Sequence, residues 1–339
     1  MTISAPASES LFIHGGNLAA ARLAFPNSPE PWIDLSTGIN PIAYPVPEVS
    51  AASWARLPEE NALDLLERTA ALAYGISPDV QTVAAPGTQV LIELLPRLFP
   101  AKRVGILGFT YAEHAKCWRA AGAEITTVEH LDDLQDFDVA IVVNPNNPDG
   151  RLVPASDLRT LAETMADAGR RLIVDEAFID VMYQGTSLAP YLAAKGTLLL
   201  RSFGKTYGLA GVRLGFAVAG HEDAALIRQA VGLWAISGPA IAIGSKALDD
   251  QAWLEATRER LISDAVRLDS VLQKKGWTVV GGTPLYRLVA CDNAASVFQR
   301  LAEAGILVRA FRDRPHWLRF GLPGIGSEWM AFAERMRDI

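Results

Sequence analysis

Residues 197–215 read TLLLRSFGKTYGLAGVRLG, and this stretch decides the architecture. It opens on an unbroken apolar run, 197–201, closed by a Gly-rich turn, which predicts a strand covered on both faces. Lys205 lies just past that strand inside the turn, at the edge of the sheet where backbone and ligand can approach closely. A second run, 212–219 (VRLGFAVA), follows too soon for a helical crossover. The two strands are therefore expected to pair antiparallel.

Working outward, 103–107 (RVGIL), 138–143 (DVAIVV) and 171–175 (RLIVD) are further continuous apolar runs. Amphipathic patterns at 89–99, 112–121 and 156–168 predict helices between them. Strand–helix–strand alternation specifies an α/β fold, a large mostly parallel sheet sandwiched by helices. The character changes after about residue 235. A long helix is expected over 251–274, then short strands at 277–280, 286–288, 307–309 and 317–320, with a helix near 295–304. This reads as a smaller α+β domain. The Pro- and Gly-rich first 45 residues read as an arm that docks on something else. The expected division is an arm over 1–45 joining the small domain, a large domain over 46–235 and a small one over 236–339.

Composition narrows the function classes. Lys and Arg number 31 against 38 Asp and Glu, a net charge of −7, which argues against a broad nucleic-acid face. The two cysteines, Cys117 and Cys291, form no CxxC pair, so neither a disulfide scaffold nor a cysteine metal site is supported. The start, MTISAPASES, lacks a basic region followed by a long apolar one, and reads as no secretory leader. The longest apolar runs are far too short for a membrane span. A cytoplasmic protein that uses no metal is the expectation.

Several segments carry chemistry. A buried lysine has a depressed pKa and becomes a nucleophile toward carbonyls; spacing alone fits an exposed loop lysine equally. Ser202 and Arg213 flank Lys205 with donors suited to a phosphate. Gly204-Lys205-Thr206 imitates the end of a nucleotide-binding P-loop, but the glycine required five positions earlier is Leu199. Asp175 closes its strand with a carboxylate at the ligand-binding edge, where it would pair with a protonated ring nitrogen or cap a helix. Asn144-Pro145-Asn146-Asn147-Pro148-Asp149-Gly150 follows another strand and fits a tight turn. Gly87, Thr88 and Gln89 open a helix, a ready anion site as well as an ordinary cap.

Together, Gly87-Thr88-Gln89, Asn147-Pro148 with Gly150, Asp175-Glu176-Ala177, Ser202-Phe203-Gly204-Lys205, Arg213 and Gly215 resemble the fold-type-I pyridoxal-5′-phosphate (PLP) enzymes. Within them the pattern is similar to the class I/II aminotransferase branch, including histidinol-phosphate aminotransferases. Arg319, in 317–321 (WLRFG), matches that branch's carboxylate-binding arginine. The N-terminal His14-Gly15-Gly16-Asn17 and 32–41 (WIDLSTGINP) resemble the threonine-phosphate decarboxylases of cobalamin biosynthesis.

The resemblance implies a role for each matched position. Lys205 joins the PLP aldehyde, and Asp175 pairs with the pyridine nitrogen. Asn147 donates to the ring 3′-oxygen, and Tyr111 stacks on the ring. Gly87, Thr88, Ser202 and Arg213 hold the cofactor phosphate. Arg319 and Asn40 address the substrate carboxylate, and His14 reaches toward the substrate phosphate. The implied reaction is decarboxylation of L-threonine O-3-phosphate to (R)-1-aminopropan-2-ol O-phosphate by a homodimer, with histidinol-phosphate-type transamination as the alternative. Three positions depart from the family's pattern. Phe178 stands where a tyrosine is frequent and cannot bond the 3′-oxygen. Leu57 replaces a tyrosine that reaches the neighbouring subunit's cofactor phosphate. Asp149 replaces a threonine, which is taken as neutral.

Overall fold

A computed structural model describes residues 14–183, 186–192 and 195–339. It divides into two compact units. The larger holds Ala43–Asn147 and Arg151–Ala256; the smaller holds the described residues up to Ile42, Pro148–Gly150 and Thr257–Ile339.

The larger unit is built on seven strands: β1 (Gln81–Ala85), β2 (Arg103–Leu107), β3 (Glu124–Val128), β4 (Val139–Val143), β5 (Arg171–Asp175), β6 (Thr197–Ser202) and β7 (Gly215–Ala219). Their order is β1-β7-β6-β5-β4-β2-β3. From β6 to β3 every pairing is parallel; β7 runs antiparallel to both neighbours. The expected antiparallel partner of β6 is therefore present, but it begins at Gly215 rather than at residue 212. Residues Ala210–Val212 form a 3-10 turn, and Arg213 takes a left-handed backbone (φ 56°, ψ 60°), which delays the strand.

The strands are apolar without alternation because helices cover both faces. Ile106, Ile141, Ile173 and Leu200 pack on one side with Leu91, Leu95 and Trp118. Val142, Leu172, Val174 and Leu199 pack on the other with Leu158, Leu161 and Met165. The helices that supply these residues are α1 (Thr88–Leu98), α2 (Ala112–Ala120) and α3 (Ala155–Asp167). Strand side chains alternate between faces, so Asp175 continues the face of Ile173 and Ser202 that of Leu200. Glu176 and Arg201 extend the opposite face.

The smaller unit has a four-stranded antiparallel sheet of β8 (Thr278–Thr283), β9 (Tyr286–Ala290), β10 (Arg309–Ala310) and β11 (Trp317–Gly321), ordered β10-β11-β9-β8. Ile33–Asp34 pairs in parallel with Ile306–Leu307, which ties the N-terminal segment to this unit. The expected long helix runs Gln251–Gln273. Among the described residues no helix is long and apolar enough to cross a membrane.

Candidate active site

The C-terminal edge of the large sheet brings together eight of the residues singled out from sequence. Gly87 ends the turn after β1 with φ +85° and caps α1. A Cβ there would stand 2.6 Å from Arg213 Nη2, so only glycine leaves this cradle open. Gly215, opposite Ser202 in the ladder, would place a Cβ 2.7 Å from the Thr88 nitrogen. The start of α1, the Ser202 hydroxyl and the Arg213 guanidinium thus surround one small space. Unpaired helix N–H groups and a cation make it an anion cup. Arg213 holds its left-handed backbone at a cost of about 1–3 kcal/mol, and its Nη1 donates to the Ala210 carbonyl at 3.2 Å.

The next side chain along the edge is Asp175, 3% exposed. Its Oδ2 lies 2.9 Å from His114 Nε2, and its Oδ1 accepts from the Ala177 N–H at 3.1 Å. His114, 1% exposed, went unnoticed in the sequence. The signal available was its spacing, one helical turn beyond Tyr111. Tyr111 is the N-cap of α2, and its ring stands edge-on to the His114 ring at 6.2 Å. The Tyr111 hydroxyl donates to Gln89 Oε1 at 3.1 Å.

Lys205 is half-buried on α4 (Phe203–Thr206), a single turn. Its Nζ lies 5.8 Å from the centroid of the Phe178 ring. A Cβ on Gly204 would stand 2.7 Å from the Ala210 Cα, so the turn carrying the lysine is pressed against the following loop. Behind it Tyr207 is sandwiched between Phe203 (4.5 Å) and Trp253 (5.5 Å). In the β4 turn, Asn144 braces the Val153 backbone and Asn146 donates to the Phe109 carbonyl. The half-buried Asn147 comes next.

On the opposite face of the same strand ends lies a buried ionic cluster. Arg201 bonds both Glu176 (3.0 Å) and Asp180, and its guanidinium lies 4.1 Å from the centre of the Tyr74 ring. Burial works against the Arg201 charge, but the Asp180 and Glu176 carboxylates outweigh it and hold its pKa above the ordinary guanidinium value.

The smaller unit holds the other three expected residues. His14 is exposed. The backbone beside it lies along Ser36: Gly16 N–H donates to Ser36 Oγ at 2.7 Å, and a Cβ on Gly15 would meet the Ser36 carbonyl. The same carbonyl accepts from Arg319 Nη2 at 2.8 Å. Asn40 is buried, and its Oδ1 accepts from Arg260 Nη2 (2.7 Å) and the Ile42 N–H (3.1 Å). Burial pulls the Arg319 pKa down to about 10, so the guanidinium stays charged at neutral pH. Arg309, absent from the sequence-based set, stands directly opposite Arg319 in the β10–β11 ladder. Two cations facing each other repel, and Arg309 adds to the lowering of the Arg319 pKa, which Asp34 opposes.

The residues of the larger unit fit PLP in kind and order: an amine on a short turn, a buried carboxylate, and an open glycine cradle beside a guanidinium.

Comparison with known proteins agrees. The family model described as Aminotransferase class I and II matches residues 32–331. A threonine-phosphate decarboxylase of Sinorhizobium sp is 43% identical over 313 residues, covering 91% of this chain and 93% of that protein. One from Pseudomonas aeruginosa is 39% identical over 319 residues, covering 93% and 94%. The structure of histidinol-phosphate aminotransferase from Sinorhizobium meliloti in complex with pyridoxal-5′-phosphate superposes with a TM-score of 0.82 at 19% identity, covering 100% of this chain and 98% of that one.

Proposed function

The chain belongs to the aminotransferase class I and II family, and on that premise we propose that it is a PLP-dependent decarboxylase of L-threonine O-3-phosphate in cobalamin biosynthesis. Its product is (R)-1-aminopropan-2-ol O-phosphate. The observation that carries the substrate class is the identity to curated decarboxylases along nine-tenths of both chains.

PLP, when bound, supplies an electron sink conjugated to the substrate amine. The chain's residues supply the rest. Gly87, Thr88, Ser202 and Arg213 hold the cofactor phosphate. Asp175, fixed by His114, keeps a proton on the pyridine nitrogen, and a buried anion does this better than an exposed one. Asn147 bonds the 3′-oxygen. Phe178, buried against Lys205, adds no second donor there. Tyr111 lies against the ring face.

The bond that breaks is Cα–carboxylate: CO₂ leaves, its bonding pair stays at Cα, and one proton is delivered to Cα. The Lys205 amine is the proton carrier. Residues that orient the substrate carboxylate would favour this outcome over loss of the Cα hydrogen, by orientation alone. We assign Arg319, Asn40 and His14 to the substrate's anionic groups and add Arg309.

We further propose that the enzyme is a cytoplasmic homodimer. Trp54 (71% exposed), Leu57 (64%), Leu233 (82%) and Trp234 (58%) give the larger unit an exposed apolar face. A Cβ on Gly238 would meet the Ser53 carbonyl, which sets these two segments side by side. A second copy of the chain is the occupant we assign to that face, and sedimentation at micromolar concentration tests it.

Product analysis tests the reaction. Wild type incubated with L-threonine O-3-phosphate alone is expected to release CO₂ and the phosphorylated amino alcohol, and Lys205→Ala to release neither. Turnover only with histidinol phosphate plus 2-oxoglutarate would replace this reading with transamination.

A further inference from the structure

We propose that Gln89 is a positioning residue that sets the pose of Tyr111 over the cofactor. This rests on the placement of Tyr111 against the ring proposed above. Gln89 is the second residue of α1, the helix whose first turn forms the anion cup. Its side chain leaves that helix and reaches the N-cap of α2. The amide nitrogen donates to Glu93 Oε1 at 2.9 Å and faces Glu113 Oε2 at 3.4 Å. An ionised carboxylate only accepts, so the two glutamates dictate which way the amide points. Its carbonyl must face Tyr111, and the Tyr111 hydroxyl, 3.1 Å away, must donate to it.

Glu113 does not drift from this role. It is buried, and both its oxygens are held by Lys116 at 3.2 Å. One amide therefore ties the helix of the phosphate cup to the helix that carries both Tyr111 and His114. The ring of Tyr111 packs at the margin of the apolar core, where packing alone leaves its tilt soft. A directed hydrogen bond at the far end of the ring fixes that tilt.

The test is a double-mutant cycle on the PLP-loaded enzyme, using Gln89→Met, Tyr111→Phe and the pair. It is read by the circular dichroism of bound PLP and by kcat and KM. Each single variant is expected to weaken the cofactor's dichroism to the same degree and to lower kcat about three- to tenfold, with KM changed less than about twofold. The pair is expected to match either single variant in these readouts, because both remove the Tyr111–Gln89 bond. Effects that multiply in the pair, or a Gln89→Met spectrum identical to wild type, would overturn the proposal. Tyr111→Leu separates the two layers. If it leaves the dichroism unchanged, Tyr111 does not touch the cofactor, and the proposal falls with that assignment. If it alters the dichroism while Gln89→Met does not, only the role of Gln89 fails.

Discussion

His114 Nε2 and Asp175 Oδ2 lie 2.9 Å apart, with both side chains almost wholly out of solvent. A carboxylate that must hold a proton on a heterocycle needs a fixed direction and a strong anionic character. The imidazole supplies the first and, by donating a single N–H to one carboxylate oxygen, leaves the second intact. Removing the ring leaves Asp175 with the Ala177 N–H and a buried gap. We expect His114→Leu to lower kcat about ten- to a hundredfold, the worth of one charge-assisted hydrogen bond, while KM for threonine phosphate stays within about twofold. Steady-state kinetics at saturating PLP measures both. An unchanged kcat would remove His114 from the machinery.

Gly87 makes a second case, because its constraint is double. Its φ of +85° disfavours any side chain, and the cradle beside it has no room for one before Arg213 Nη2. Gly87→Ala is expected to push the guanidinium out of the cup and to weaken PLP binding about ten- to a hundredfold. Arg213→Ala is expected to do much the same. The double variant should lose little more than either, since both remove one contact. Equilibrium titration of apoenzyme with PLP, followed by quenching of protein fluorescence, gives the three affinities.

The readability of this protein in its sequence follows burial. Strands β4, β5 and β6 are central and covered on both faces, so 138–143, 171–175 and 197–201 stand out as apolar runs. β1 (QTVAA) escapes notice because four of its five side chains are small or polar. β3 (EITTV) is the edge strand, with a largely exposed face and a polar pattern to match. The same logic separates the site residues. Lys205, Asp175 and Gly87 are marked by their place at strand ends and in Gly-rich turns. His114 sits inside a helix that looks like any polar surface helix. Arg309 becomes visible only once pairing sets it across from Arg319. The two stand ten positions apart, and register is what strand pairing adds.

That register yields a third prediction. Arg309 and Arg319 face each other across the ladder, and Arg319 is 7% exposed. A bound anion relieves their repulsion, so threonine phosphate or inorganic phosphate should raise the melting temperature of the wild type. Arg319→Met keeps the volume and removes one charge. It is expected to abolish that ligand-induced rise and to increase KM for threonine phosphate about ten- to a hundredfold, yet to leave the unliganded melting temperature nearly unchanged. A large loss of unliganded stability would instead make Arg319 a structural residue, held by its bond to the Ser36 carbonyl.

The cluster beneath the site sets the last expectation. Glu176 is fully buried and accepts from Arg201 (3.0 Å), Ser187 Oγ (2.6 Å) and the Leu188 N–H (2.8 Å). It follows Asp175 in sequence, as Arg201 precedes Ser202, so each cofactor-facing residue has a neighbour locked into the ion pair behind the sheet. Glu176→Ala removes one of the two carboxylates that hold the buried Arg201 and should cost about 3–5 kcal/mol of unfolding free energy. Replacing both partners, Glu176→Leu with Arg201→Met, leaves no charge unpaired there except Asp180, so adding Asp180→Asn should recover most of the loss. Urea denaturation of the four proteins gives the comparison. Recovery of stability in the triple variant without recovery of kcat would assign the cluster to aligning Asp175 and Ser202. Recovery of both would confine it to holding the fold.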